Sequence, residues 1–296
     1  MKIKIPCSTS NLGPGFDTLG LALNRYLHLT LETSGTASIT VEGNGKEHIA
    51  ADETNLVFLA MKKTAERLEK KLPTFHLHIN NEIPAYGGLG GSGAAIAGGV
   101  FLANEILHGG LTKNEMLQTA VNIEGHPDNV SAAIFGGLTI NCFDAGRNVR
   151  CRSVKIEKKL SVVACSPHFQ VQTKEARKIL PQHVPLANAV TNIENASSLV
   201  AAMMSGDFEA LRYVTAERIH EQYRAALIPG FEEVKKAALE AGALSFNISG
   251  AGPTVFAFTV TNEKEIAEAM SAAFGTKGQK SSAEIMNIEN NGAVLL

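Results

Sequence analysis

The sequence predicts a mixed α/β (α+β) protein built as two domains. Three observations carry this expectation. Alternating apolar runs, Tyr26 to Glu32, Ala37 to Val41 and Phe75 to Ile79, read as strands and interleave with longer helical patterns. Around residues 144–157 the chain turns polar and charged (Asp144, Arg147, Arg150, Arg152, Glu157), which divides it into 1–154 and 155–296. Beyond that division the elements run β-α-α-β-β-α-β, an order suited to helices on one face of an antiparallel sheet.

Taken in order, residues 2–6 form a strand and run into Ser8-Thr9-Ser10-Asn11-Leu12-Gly13-Pro14-Gly15-Phe16-Asp17, a polar loop rich in glycine. Its hydroxyls, amide and carboxylate suit a small polar ligand, and equally an ordinary turn. Residues 55–71 are helical, with Val57, Phe58, Met61, Ala65 and Leu68 on one face. After the strand at 75–79 comes the stretch that dominates the chain, Pro84 to Ala95, with five glycines among the seven residues from Gly87 to Gly93. It opens an apolar helix that runs to Leu107. Glycine lets the backbone turn tightly and approach a ligand, and a helix start presents unpaired N–H groups and a partial positive charge. Together they predict a phosphate cradle, with Ser92 at the helix entrance.

Two other readings of this stretch stay open. It is compatible with a flexible turn. It also matches G-x-G-x-x-G at Gly88, Gly90 and Gly93, the dinucleotide fingerprint of a nicotinamide oxidoreductase, which needs a strand immediately before it and another after its helix. Here the strand ends several residues earlier, and a second helix follows, opened by Thr112 and Glu115 at capping-box spacing. No G-x-x-x-x-G-K-[ST] occurs, which excludes an ordinary P-loop.

Next comes Glu124-Gly125-His126-Pro127-Asp128-Asn129-Val130, two carboxylates, an imidazole and an amide between a helix end and the Gly136-Gly137 turn. The clustering points to function, and Glu124 suits Mg²⁺, which takes one or two carboxylates plus phosphate oxygens. Leu138 to Phe143 and Ser161 to Cys165 are strands, and Thr173 to Arg177 opens a helix that stops at Pro181. Helices ending at Gly206, Gly230 and Gly242 follow. His220-Glu221-Gln222-Tyr223-Arg224 lacks the second histidine of a zinc-protease helix, which rejects that reading. Arg177 and Arg224 are candidate carboxylate clamps, with plain surface arginines as the alternative. The third glycine loop, Ser249 to Thr254, joins strands at 243–248 and 255–259, and a helix (Glu263 to Phe274) and two short strands close the second half.

Composition limits the function classes. The 296 residues are 45% hydrophobic and 19% charged, enough for an ample core. A net charge of −2 with no basic block argues against nucleic acid and acidic membrane partners. No apolar run is long enough for a transmembrane helix, and Met1 to Pro6 lacks a signal-peptide core. Cys7, Cys142, Cys151 and Cys165 have no paired spacing and read as reduced thiols of a cytoplasmic protein.

The three glycine loops resemble the three motifs of the GHMP kinase superfamily, and the likeness to its homoserine kinase branch runs the whole length. It is carried by P-C-S-T-S-N-L-G-P-G-F-D-T-L-G from Pro6, Pro84 to Ala95, E-G-H-P-D-N-V from Glu124, T-K-E-A-R from Thr173, Tyr223-Arg224, and S-G-A-G-P-T from Ser249. One departure stands in the second motif: the usual G-L-G-S-S-A reads G-L-G-G-S-G here, with Gly91 and Gly93 replacing serine and alanine.

The resemblance implies a two-domain GHMP kinase fold. Its N-terminal ATP-binding domain would be of the ribosomal-protein-S5-domain-2 type and its C-terminal domain ferredoxin-like. It implies ATP along Pro84, Ala85, Tyr86, Gly87, Gly88, Leu89, Gly90, Gly91, Ser92, Gly93 and Ala94, with Asn55 near the adenine. Mg²⁺ would sit on Ser92 and Glu124. L-homoserine would lie among Asn11, Asp17, His126, Asp128, Thr173, Arg177, Arg224 and Gly250, with Asp17, Asp128 and Arg177 catalytic. Phosphorylation of the homoserine hydroxyl, a step toward threonine, is the implied reaction. The alternatives are a GHMP-type kinase for another small alcohol such as a mevalonate-like acid, and a binding protein without catalysis. The resemblance leaves a homodimer open.

Overall fold

The computed structural model describes residues 1–214 and 216–296. Its elements are β1 (Lys2–Ser10), β2 (Leu19–Thr33), β3 (Ser38–Gly43), α1 (Leu56–Arg67), β4 (Phe75–Asn81), α2 (Gly91–Ile106), α3 (Lys113–Glu124), α4 (Asp128–Phe135), β5 (Leu138–Phe143) and β6 (Val149–Val154). They continue with β7 (Ser161–Pro167), α5 (Thr173–Lys178), α6 (Leu186–Ser205), α7 (Glu221–Arg224), α8 (Phe231–Glu240), β8 (Ser245–Ile248), β9 (Val255–Thr259), α9 (Glu263–Thr276), β10 (Ser281–Asn287) and β11 (Val294–Leu295).

The strands form two sheets. The first runs β11-β1-β2-β4-β3, with β5 on β2 and β6 on β5; among the described residues only β3 and β4 pair in parallel. The second runs β10-β7-β9-β8 and is antiparallel throughout. Leu21, Leu29, Leu77 and Ile79 of the first sheet share one core with Ala97 and Val100 of α2 and Met61 of α1. Val163, Phe246 and Ala257 of the second sheet pack beneath Val234 of α8 and Ile266 and Phe274 of α9. This is the α+β arrangement expected for the second half, and β11 returns to the first sheet after it.

Several boundaries differ from the sequence reading, each for a physical reason. β1 continues through Ser10, where a loop was expected, because Cys7 to Ser10 pair with Gly20 to Leu23 and are buried on both faces. β2 starts at Leu19 rather than Tyr26, since Leu19 to Leu23 is buried throughout and shows no alternation. α4 was missed because its eight residues are almost wholly buried and carry no polar stripe. β6 was masked by Arg150 and Arg152 on its exposed side. Gly230 begins a helix instead of ending one: at φ 90° it is the N-cap of α8.

The short helix α7 is held from several sides. Glu217 accepts the N–H groups of Ile219, His220 and Glu221 at 2.6–3.1 Å. Glu221 in turn accepts the Ile248 N–H at 2.6 Å. His220 Nε2 lies 2.9 Å from the Gly13 carbonyl, which makes it the donor, and its ring stacks on Phe16 at 5.1 Å. One turn of helix thus grips the loop after β1 and the end of β8 together. Burial is the main force that pushes the Glu221 carboxyl up to about 7, with the Glu217 charge adding to it.

Gly93 faces α4. A methyl there would lie 2.8 Å from Asn129 Cβ, whereas one at Gly91 meets nothing within 4 Å. Gly93→Ala is expected to lower stability by roughly 1–3 kcal/mol through overpacking, and Gly91→Ala to stay within about 0.5 kcal/mol, both read from urea midpoints. Glu221 gives a pH dependence. The native state keeps its proton up to about 7 while the unfolded chain releases it near the ordinary 4.5, so stability falls as pH rises through that window. Glu221→Gln should flatten that part of the slope in thermal midpoints measured from pH 5 to 8.

Candidate functional site

A cleft of about 580 Å³ lies between the two sheets. One wall is the cradle. Gly90, at φ 66°, is the N-cap of α2, and a side chain there would strike Ser8 Oγ. The carbonyls of the loop are committed to protein donors: Thr254 Oγ1 to Gly87, Ser249 Oγ to Gly88 and the Ser8 N–H to Leu89. Ala94 N–H closes the first helical bond onto Gly90, and the N–H groups of Gly91, Ser92 and Gly93 have no acceptor among the described residues. This is an anion seat at the positive end of a sixteen-residue helix. Ala94, expected in the cradle, does not line the cleft. Its amide is used within the helix and its methyl is buried in the core. Pro84 through Gly93 do line it.

Beside the seat, Ser92 Oγ sits 2.8 and 3.0 Å from the two oxygens of Glu124. Hard oxygen donors this close can share one divalent cation, and α3 and α2 present them side by side. At one end of the cleft Asn55 caps α1 by accepting from Val57 and Phe58, next to Leu27, Ile49, Ile79 and Ile83. These form an apolar slot with polar edges.

The other end of the cleft is charged. Arg177, from α5, donates to both oxygens of Asp17 at 2.9 and 2.7 Å. Asp17 lies at φ 53°, held there by its N–H to Asn11 Oδ1 at 3.0 Å. Asp128 begins α4 and accepts from His126 Nδ1 at 2.6 Å and from the Asn129 N–H at 2.7 Å, both on Oδ1. Donor atoms of Asp17, His126 and Asp128 all lie within 4.8 Å of one another, which makes a seat for a cation. Burial works against a charged His126, but the Asp128 hydrogen bond and the nearby carboxylates outweigh it and raise the ring above its ordinary value.

Arg224 is the unusual group. It is 2% exposed, and its guanidinium donates only to two carbonyls, Gly250 at 2.9 Å and Ala176 at 3.2 Å. Among the described residues it has no carboxylate partner. Burial, and then the charge of Arg177, depress its affinity for its proton. A buried cation without a counter-ion is costly unless a ligand supplies one. Both guanidiniums stand over the ring of Phe16, at 5.6 Å for Arg177 and 5.2 Å for Arg224.

The fold therefore brings Asn11, Asp17, Asn55, Ser92, Glu124, His126, Asp128, Thr173, Arg177, Arg224 and Gly250 to one cleft. Sequence reasoning passed over its supports. Asn129 takes a hydrogen bond from Ser8 and donates to Ser10, bracing the strand under Gly90. Asn129 stood inside the polar cluster from Glu124 to Val130, and Phe16 inside the first glycine loop. The segment from Asn44 to Ala50, which also lines the cleft, carried no pattern.

Residues 55–137 match the model of the GHMP kinases N terminal domain, and residues 196–277 that of GHMP kinases C terminal. The homoserine kinase of Moorella thermoacetica is 39% identical over 99% of both chains. That of Desulfitobacterium hafniense is 36% identical over the full length of both. The crystal structure of homoserine kinase from Cytophaga hutchinsonii superposes with a TM-score of 0.88 at 29% identity, covering 100% of this chain and 97% of that one. With both family models matched and relatives aligned end to end, the chain belongs to the GHMP kinase family.

Proposed function

We propose that this enzyme transfers the γ-phosphoryl group of ATP to the side-chain hydroxyl of L-homoserine, giving O-phospho-L-homoserine and ADP on the way to threonine. The observation that carries the reading is the buried, carboxylate-free Arg224 facing a cation seat at Asp17 and Asp128, with a phosphate cradle along the same cleft. A zwitterion with a terminal hydroxyl answers both charges. The relatives named homoserine kinase support the same acceptor. No helix among the described residues is long and apolar enough to cross a membrane, and all four cysteines are free thiols, which supports a place in the cytoplasm.

The triphosphate lies against the N–H groups of Gly91 to Gly93 in this reading, with the base in the apolar slot by Asn55. Ser92 and Glu124 would hold Mg²⁺, which would neutralise charge on the phosphate oxygens. Arg177 and Arg224 take the acceptor carboxylate, and Asp17 and Asp128 its ammonium group. The hydroxyl oxygen then attacks the γ-phosphorus, the bond to the bridging oxygen of ADP breaks, and the hydroxyl proton passes to an oxygen of the transferred phosphoryl group. The transition state is loose, so the protein contributes mainly alignment and charge stabilisation. Fixing both reactants can be worth effective molarities of ~10⁵ M or more. Asp128 Oδ1 is occupied by His126 and Asn129, which leaves one oxygen for the ammonium and favours a binding role over that of a base.

The reading is tested by a coupled ADP assay on homoserine, serine, threonine and mevalonate. Turnover of homoserine well above the others is expected, and equal or greater turnover of mevalonate overturns it. Asp128→Asn should raise the KM for homoserine more than it lowers kcat. A large loss of kcat at unchanged KM would assign Asp128 to proton removal instead.

A further inference from the structure

Asp17 and Arg177, which the proposed function gives to opposite ends of the acceptor, are bonded to each other. Nη1 and Nη2 of Arg177 each meet one Asp17 oxygen, at 2.9 and 2.7 Å, in a fork that turns the Nη edge of the guanidinium onto the carboxylate. The pair joins the loop after β1 to α5, and its side chains keep only 34% and 37% of their exposure. A ligand ion that takes the Nη edge of Arg177, or the Asp17 lone pairs facing it, displaces the other member of the pair.

The neighbouring charges determine the cost of parting the pair. On one side stands Arg224, buried and without a carboxylate. On the other stand Asp128, His126 and Glu124, with Asp128 and His126 within 4.8 Å of Asp17. A ligand carboxylate that draws Arg177 toward itself frees Asp17 beside Asp128 and Glu124, with Arg224 as the permanent cation left acting on the two aspartates. A ligand amine that draws Asp17 away leaves two guanidiniums over Phe16 that share Asp128 as a remaining carboxylate. Only a molecule with both charges restores a partner to every ion. Like charges left facing each other in a part-buried site are repelled.

The geometry points to the Asp17–Arg177 pair as a specificity gate: it exchanges partners with a zwitterion and so penalises acceptors that carry a carboxylate alone or an amine alone. This rests on the assignment of a homoserine-like acceptor and adds to it a reason why simple hydroxy acids are refused. The discrimination comes from the charge the ligand leaves behind, in addition to the contact it fails to make. A site built to pair a ligand ion rejects an analogue without it more strongly than an apolar pocket could.

The two sources of discrimination separate in one experiment. The acceptors are L-homoserine, 4-hydroxybutanoate (the same chain without the ammonium) and 3-aminopropan-1-ol (the same chain without the carboxylate). Each is measured as a substrate and as a competitor of homoserine. In Asp17→Asn, homoserine should weaken by ten-fold or more. The apparent affinity for 4-hydroxybutanoate should rise about threefold, the scale of a half-exposed ion pair. If Asp17 served only as an ammonium contact, 4-hydroxybutanoate would be unaffected, and that outcome overturns the gate. A second measurement needs no variant: methylammonium added to the unaltered enzyme should tighten 4-hydroxybutanoate by supplying the missing cation at Asp17. Tetramethylammonium at the same ionic strength, which has no N–H to donate, should not. Equal effects of the two salts would also overturn the gate. Absence of ADP release with homoserine itself would instead remove the functional assignment.

Discussion

Two donors from opposite halves of the chain meet on one carbonyl. Asn11 Nδ2, after β1, and Arg224, on α7, both donate to Gly250 O, at 3.0 and 2.9 Å, while the Gly250 N–H reaches back to Ser10 O. A carbonyl has two lone pairs, and this one spends both on the seam between the sheets. The arrangement fixes Arg224 where a buried guanidinium would otherwise be hard to keep. It also fixes Asn11, whose Oδ1 holds the Asp17 N–H. The acceptor end of the cleft is therefore a property of the joint between the halves and belongs to neither sheet alone.

The charged end and the cradle solve the same problem in different ways. Gly91 to Gly93 present backbone N–H groups, which need no counter-ion and cost little to leave facing water. Arg177, Asp17 and Asp128 are full charges and are kept paired, with each other or with His126. Arg224, in this end of the cleft, has only neutral hydrogen-bond partners among the described residues. Buried ions hold little net stability of their own, so a site that pairs them internally avoids strain while waiting for its ligand. The absence of alanine at position 93 follows from the same economy of space: Asn129 takes the volume in order to brace Ser8 and Ser10.

Much of this was legible in the sequence because glycine, proline and clustered polar residues mark places where the backbone is constrained. The cradle, the cluster from Glu124 to Asn129 and the third loop were all found that way, and the structure brings them to one cleft. Elements buried on every side left no such trace. Ser8 to Ser10 looked like loop because their hydroxyls are satisfied inside the protein, by Asn129 and Ser249. α4 looked like loop because its apolar residues have no polar face to contrast with. His220 and Phe16 were invisible for another reason: their importance lies in a stack between residues 204 positions apart, which no local pattern encodes. The partnerless state of Arg224 is likewise a fact of three dimensions, and the sequence reading left it undecided between clamp and surface residue.

The cradle is tied to the second half as firmly as to the first. Thr254 and Ser249 hold its carbonyls, and Tyr86 stacks on His168, just past β7, at 4.4 Å with the rings 10° from parallel. A rotation of one half against the other would have to drag these anchors and reshape the loop. Affinity for nucleotide thus becomes a gauge of how the two lobes are seated, and any event that shifts their seating is felt at the triphosphate before a single phosphate-facing residue has changed.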